Sequence, residues 1–168
     1  MILGWSNEAP PTSIPFMTTV GFYKGSDLII KALSLFKKSY PKFNVKIISI
    51  NNGDDFEEFN RSLCTSVGSK KVLKINELNH KLLFNLLSLN KVVVLDQFSK
   101  PNANTLGGLA RESIAIGAPI ISITNTNTPE FVEVYGPGCP LLVASTAEQI
   151  SNHLNKIMVE TKDFRKER

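Results

Sequence analysis

Val92-Val-Val-Leu95, followed by Asn104-Thr-Leu-Gly-Gly-Leu-Ala-Arg-Glu-Ser-Ile-Ala-Ile-Gly-Ala-Pro-Ile-Ile-Ser122, decides the reading of this chain. The apolar run reads as a buried parallel strand. A glycine pair then turns the backbone, a helix begins, and Gly117-Ala-Pro119 stops that helix and launches the strand Ile120-Ile-Ser-Ile123. Gly107-Gly108 would leave free N–H groups at the helix start facing an anion, and Glu112 lies about one turn further in, toward the same crevice. This is the layout of a site for a phosphate and for sugar hydroxyls.

The same alternation extends in both directions. Thr18-Thr-Val-Gly-Phe22 reads as the first strand, and Ser26 to Lys38 as a helix with Leu28, Ile29, Ala32, Leu33 and Phe36 on one face, ended by Pro41. Val45 to Ile50 is the second strand, Asn51-Asn-Gly-Asp54 a turn, and Phe56 to Ser66 a helix. Val72-Leu-Lys-Ile75 is a short third strand leading to a helix that carries Leu78, Leu82, Leu83 and Leu86. Beyond the fifth strand come a polar loop from Thr124 to Pro129, a short helix from Glu130, and a sixth strand, Leu141-Leu-Val-Ala144. The last helix, Thr146 to about Thr161, packs through Ile150, Leu154 and Ile157. Strands and helices in strict alternation predict an α/β fold, a Rossmann-like, doubly wound, mostly parallel six-stranded sheet. In such a sheet a ligand lies outside the carboxyl ends of the strands, where the strand order reverses. That directs attention to Tyr23-Lys24-Gly25, Asn51-Asn52-Gly53, Asn76-Glu77, Ser99 to Gly108, and Thr124 to Glu130.

Length and composition bound the rest. A chain of 168 residues, 42% hydrophobic and 20% charged, suits one domain with a real core. Residues 17–162 are expected to form it, after an extended proline-bearing segment, 1–16, and before a solvated basic tail, 163–168. The prolines between Asn7 and Pro15 suggest a join to something preceding. A net charge of +4 permits an anionic partner. Lysine and arginine are nevertheless scattered without interleaved aromatics, which favours a small phosphorylated ligand over nucleic acid. Cys64 and Cys139 stand far apart, and neither His80 nor His153 is at metal-ligand spacing to them, so neither a disulfide nor a metal centre is expected. No apolar run approaches the roughly 18 residues of a membrane span, and no signal peptide is evident at the N-terminus. A cytoplasmic location is expected, with the basic end from Lys162 to Arg168 leaving room for a peripheral membrane contact.

Among the candidate residues, Lys24 precedes Gly25 and a helix start, where an ammonium and helix amides together can clamp a pyrophosphate. Each candidate also has a plainer reading. Lys24 can be a surface lysine, Gly107-Gly108 a tight turn, and Glu112 a first-turn glutamate complementing its helix dipole.

Taken in order and spacing, the blocks resemble the C-terminal half of the retaining, family 4 (group 1) glycosyltransferases of GT-B fold. Val20-Gly-Phe-Tyr-Lys-Gly-Ser-Asp-Leu-Ile-Ile-Lys-Ala32 is similar to that family's opening strand, basic loop and Lys-Gly helix start. Val45 to Ile50 resembles its second strand, and Asn76-Glu77-Leu78 through Val94 its helix and buried strand. Asn104 to Ser122 resembles its E-x7-E segment with a trailing Gly-x-Pro, Thr128-Pro-Glu130 its later Glu, and Gly138 to Ala144 its closing Gly-x-Leu-Val.

The resemblance implies one half of a GT-B fold and a nucleotide-sugar donor site. Lys24 would neutralise the donor pyrophosphate and the departing nucleoside diphosphate. Gly107, Gly108 and Leu109 would offer amides to the distal phosphate, Glu112 would hold the ribose, and Asn76 would lie near the base. Lys24 and Glu112 are thus the expected catalytic pair. Lysine and helix amides would supply the positive field, so the resemblance implies neither metal nor other cofactor. It also implies an N-terminal acceptor-binding domain, without which this chain is not expected to catalyse transfer.

Two positions depart from the pattern. The first Glu of E-x7-E falls on Asn104, which can hydrogen-bond a sugar hydroxyl without supplying charge, and the usual phosphate-binding Arg falls on Phe22. Weaker donor binding, a non-standard donor, or a degenerate scaffold module would follow. A sugar-nucleotide epimerase of GT-B fold would carry catalytic His or acidic groups that are scarce here. A dinucleotide dehydrogenase lacks its Gly-x-Gly-x-x-Gly, and a P-loop its Walker lysine.

Overall fold

The structure, a computed structural model, describes residues 16–19, 25–39, 41, 47–50, 56–75, 79–88, 93–95, 108–123, 129–136 and 141–159. The strands are β1 (Phe16–Thr19), β2 (Ile47–Ile50), β3 (Val72–Ile75), β4 (Val93–Leu95), β5 (Ile120–Ser122) and β6 (Leu141–Val143). The helices are α1 (Ser26–Ser39), α2 (Phe56–Val67), α3 (His80–Ser88), α4 (Gly108–Ile116), α5 (Pro129–Tyr135) and α6 (Ala147–Val159). The sheet has six strands in the order β3-β2-β1-β4-β5-β6, and every pairing is parallel. Each parallel neighbour is reached through a crossover helix, which is the doubly wound arrangement that the alternation predicts. The order reverses between β1 and β4, whose register aligns Phe16 with Val93 and Thr18 with Leu95.

Alternating strand residues feed two cores. Val93, Leu95 and Ile121 point toward one face, where they meet Ile29, Leu33 and Phe36 of α1, Phe59 and Leu63 of α2, and Ile150 and Leu154 of α6. Val94, Ile120 and Leu141 point the other way, onto Leu83 and Leu87 of α3, Leu109 and Ala110 of α4, and Phe131 of α5. The period of two in a strand buried on both sides produces this division without any polar position in β4.

The helix ends are explained by local chemistry. Asn79 caps α3, its Oδ1 accepting from the Leu82 N–H at 2.9 Å. Thr146 and Gln149 form a capping box on α6: the Thr146 hydroxyl accepts the Gln149 N–H at 3.2 Å, and Gln149 Oε1 accepts the Thr146 N–H at 3.2 Å. Gly117, at φ 78°, ends α4: its N–H bonds the Ile114 carbonyl at 3.0 Å and the Ala118 N–H bonds that of Ser113 at 2.9 Å. This pair of bonds is a Schellman motif, which requires a left-handed residue at the glycine's position.

Several sequence expectations need correction. The first strand is described over Phe16–Thr19, so it begins before Thr18; positions 20–22 of the expected run lie outside the described residues. Of the leucines expected on the third helix, Leu82 and Leu83 lie on α3, where Leu83 is buried and Leu82 is 44% exposed, and Leu87 at 0% joins Leu83 on the buried face. Gly108 is the first residue of α4 rather than part of the turn before it. Ile123 and Ala144 fall just past their strands, and α5 opens at Pro129, one residue before Glu130, as suits proline's missing N–H.

Candidate functional site

The described helix starts gather at one edge of the sheet. Ala118-Pro119 links the end of α4 directly to the start of β5, and the Val94 N–H bonds the Pro119 carbonyl at 2.9 Å. The C-terminus of α4 is therefore fixed at the amino edge, and its N-terminus, Gly108, stands toward the carboxyl edge. The starts of α1 and α3 follow β1 and β3 and stand at the same edge. The point where strand order reverses thus lies between a helix on each face, α1 and α4, both presenting first-turn N–H groups. A phosphate approaching this edge meets two positive helix ends.

Small residues set α4 close to the sheet. Ala110 and Ser113 are both 0% exposed and form the inner side of the helix, which packs on β4 and β5. The Ser113 hydroxyl donates to the Leu109 carbonyl at 2.6 Å, so a buried polar group is satisfied within the helix and claims nothing from the edge. Leu109 turns its side chain inward at 6% exposure. Its N–H lies in the first turn, among the amides without an intrahelical acceptor.

On the other side of the reversal point, Gly25 is buried with φ 74°, and its carbonyl accepts from the N–H groups of Leu28 at 3.1 Å and Ile29 at 3.3 Å. It immediately precedes α1, and only glycine takes that backbone conformation without strain.

Glu112 sits one turn into α4, with its side chain 23% exposed, and its Oε1 lies 3.1 Å from His80 Nδ1 at the first position of α3. The two helices pack against each other, and this contact closes their junction near the carboxyl edge. His80 itself is 85% exposed. The sequence reading treats His80 only as a residue without a metal partner. A contact between two helices distant in sequence leaves no spacing signal that could have revealed it.

Of the seven residues singled out from the sequence, three fall within the described residues. Gly108 and Leu109 occupy the first two positions of α4, and Glu112 follows one turn later on the same helix. Lys24, Asn76, Asn104 and Gly107 lie outside the described residues, as does Phe22. Among the described residues, no helix is long and apolar enough to cross a membrane.

Residues 6–167 match the family model described as glycosyl transferases group 1. No curated protein sequence matches the chain. Solved structures share the fold. The C-terminal domain of a glycosyl transferase group 1 family protein (LpcC) from Francisella tularensis is 17% identical, with a TM-score of 0.61 over 89% of this chain and 76% of that one. A UDP-forming α,α-trehalose-phosphate synthase from Burkholderia xenovorans is 14% identical, with a TM-score of 0.59 over 86% of this chain and 36% of that one. The pneumococcal O-GlcNAc transferase GtfA, solved in complex with UDP and GlcNAc, is 14% identical, with a TM-score of 0.58 over 92% of this chain and 29% of that one. The chain therefore spans most of an isolated C-terminal domain and about a third of the two longer proteins.

Proposed function

The chain belongs to the glycosyl transferases of group 1, and from that premise we propose that it is the donor-binding half of a retaining, metal-independent family 4 glycosyltransferase. In this reading it binds a nucleoside diphosphate sugar, and a preceding acceptor-binding domain supplies the glycan or lipid-linked acceptor. The hexosyl group passes to that acceptor only when both halves are present. The observation that carries the proposal is the position of Glu112: one turn inside a helix whose N-terminus stands where strand order reverses, with its carboxylate turned toward the neighbouring helix start.

The chemistry follows from charge. Cleavage of the glycosidic bond to the nucleotide leaves negative charge on the diphosphate. The amides of Gly107, Gly108 and Leu109 and the ammonium of Lys24 are the groups proposed to receive it. Preorganised donors of this kind act where charge develops and need no reorganisation during the reaction. Glu112 accepts from ribose hydroxyls, Asn76 lies by the base, and Asn104 hydrogen-bonds the sugar without adding charge. No cofactor enters this scheme. In the cell the reading places the full enzyme in the cytoplasm, working on polysaccharide precursors and touching the inner face of the membrane at its periphery.

Ligand-observed NMR with UDP, GDP, ADP and their sugars is the direct test. Selective binding of one base is expected, weakened by about 1.5 to 3 kcal/mol in Glu112→Ala, the usual worth of hydrogen bonds to an ionised group. Lys24→Ala is expected to weaken the diphosphate more than the free nucleoside. Silence across the panel at millimolar concentrations would overturn the proposal. It would favour the second reading, a scaffold module that keeps the fold after losing Glu at Asn104 and Arg at Phe22.

A further inference from the structure

The contact between His80 and Glu112 is not explained by helix formation. His80 occupies the first position of α3, and the cap of that helix is already supplied by Asn79. Nor is it core packing, since the imidazole is 85% exposed. What the contact does achieve is to hold a carboxylate. Glutamate has three rotatable bonds, and an acceptor meant for a pair of ribose hydroxyls must present both oxygens in one orientation. With Nδ1 protonated, the ring can offer its N–H to Oε1 across the 3.1 Å contact, from a short side chain at a capped helix start, and so restrict that orientation. It also uses only one of the lone pairs that the carboxylate offers, so acceptor capacity remains for a diol.

We propose that His80 is a positioning residue for the donor site: it donates from Nδ1 to Glu112 and holds the carboxylate ready for the 2′ and 3′ hydroxyls of a ribonucleoside diphosphate. The inference rests on the reading of Glu112 as the ribose acceptor, and it assigns to α3 a part in recognising ribose. Such a role belongs to the sugar of the nucleotide alone. His80 therefore contributes to telling a ribonucleotide from its dideoxy counterpart and contributes nothing to binding the diphosphate.

The test is the ratio of affinities for UDP, GDP or ADP and the matching 2′,3′-dideoxynucleoside diphosphate. It is measured by NMR titration on the 168-residue chain and on its His80→Ala, Glu112→Ala and doubly substituted variants. The wild-type chain is expected to prefer the ribonucleotide. Glu112→Ala abolishes the preference. His80→Ala lowers it by about two- to fivefold, the range of a solvent-exposed polar pair, while affinity for the dideoxy compound holds. In the Glu112→Ala background, loss of His80 changes nothing further. If the preference survives His80→Ala but not Glu112→Ala, the positioning role is wrong and the site reading stands. Equal weakening of both nucleotides, or a stronger preference on losing His80, also overturns the role. If Glu112→Ala retains the preference, or no nucleotide binds, the site reading falls and the inference falls with it. Unchanged thermal melting of His80→Ala, as its exposure leads one to expect, keeps these outcomes separate from unfolding.

Discussion

On one face of the sheet α1, α2 and α6 run for 14, 12 and 13 residues; on the other α3, α4 and α5 run for 9, 9 and 7. The long helices bury Ile29, Leu33, Leu63, Ile150 and Leu154 completely or nearly so. The short ones leave Leu82, Phe84, Val132 and Val134 exposed, all of them on α3 and α5. Buried apolar area is the main stabilising term in folding, so the first face holds the domain together. The second carries Gly108, Leu109, Glu112 and His80. A site of this type is served by helices that end at the sheet edge, and short helices can bring several ends to one place. The price is local stability, which is lowest where binding groups must be presented.

Truncation in the two cores should separate the faces most clearly. Leu33→Ala, at 1% exposure between α1 and the sheet, is expected to cost about 4 kcal/mol of unfolding free energy by denaturant titration, within the range for large-to-small core changes. Leu83→Ala, at 8% exposure on the short helix α3, is expected near the bottom of that range, about 2 kcal/mol, because a nine-residue helix can relax into the space. Equal costs would remove the distinction between the faces.

A smaller effect should appear at the end of α4. Gly117→Ala places a side chain at φ 78°, where no neighbouring atom lies within 4 Å, so its cost is conformational: about 1 kcal/mol, read as a lower melting temperature. A neutral result would mean that the turn before β5 has other ways to close.

The smallest effect belongs to the long-helix face and depends on pH. The backbone hydrogen bond of Glu148 at the start of α6 is the main influence holding its carboxyl below the usual 4.5; desolvation opposes it, and Lys31, 3.9 Å away, and the Thr146 hydroxyl add smaller effects in the lowering direction. A depressed folded value means that the contribution is fully present above the unfolded value and is lost as pH falls through the folded one. Glu148→Gln should therefore lower stability slightly at neutral pH and match the parent in strong acid. Because the side chain is largely exposed, the difference should shrink in salt.

How far the sequence reveals this molecule depends on which physical signal each feature leaves. β3 is legible to the residue because Val72, Leu73 and Ile75 form a short apolar run after the polar stretch Ser69–Lys71. α1 is legible because Ile29, Ala32, Leu33 and Phe36 repeat at helical spacing before Pro41. α3 is only half legible. Its leucines are so dense that periodicity fits more than one face, and burial selects Leu83 and Leu87 while Leu82 stays outside. The first strand starts earlier than its β-branched residues suggest, because pairing with β2 and β4 decides its extent. Within the site, Gly108 and Glu112 are visible as a local pattern on one helix. His80 is not, because its importance arises from the packing of α3 on α4.

The Schellman turn at Gly117 makes α4 a ruler. Its far end is clamped by Ala118 and Pro119 to the first residue of β5, so everything toward Gly108 is measured from that point. Each residue adds about 1.5 Å of height and about 100° of rotation. One residue inserted between Glu112 and Gly117 would swing the carboxylate a quarter-turn away from His80 and lift the leading amides above the sheet edge. The number of residues from Glu112 to Gly117 is therefore the dimension this domain has to keep.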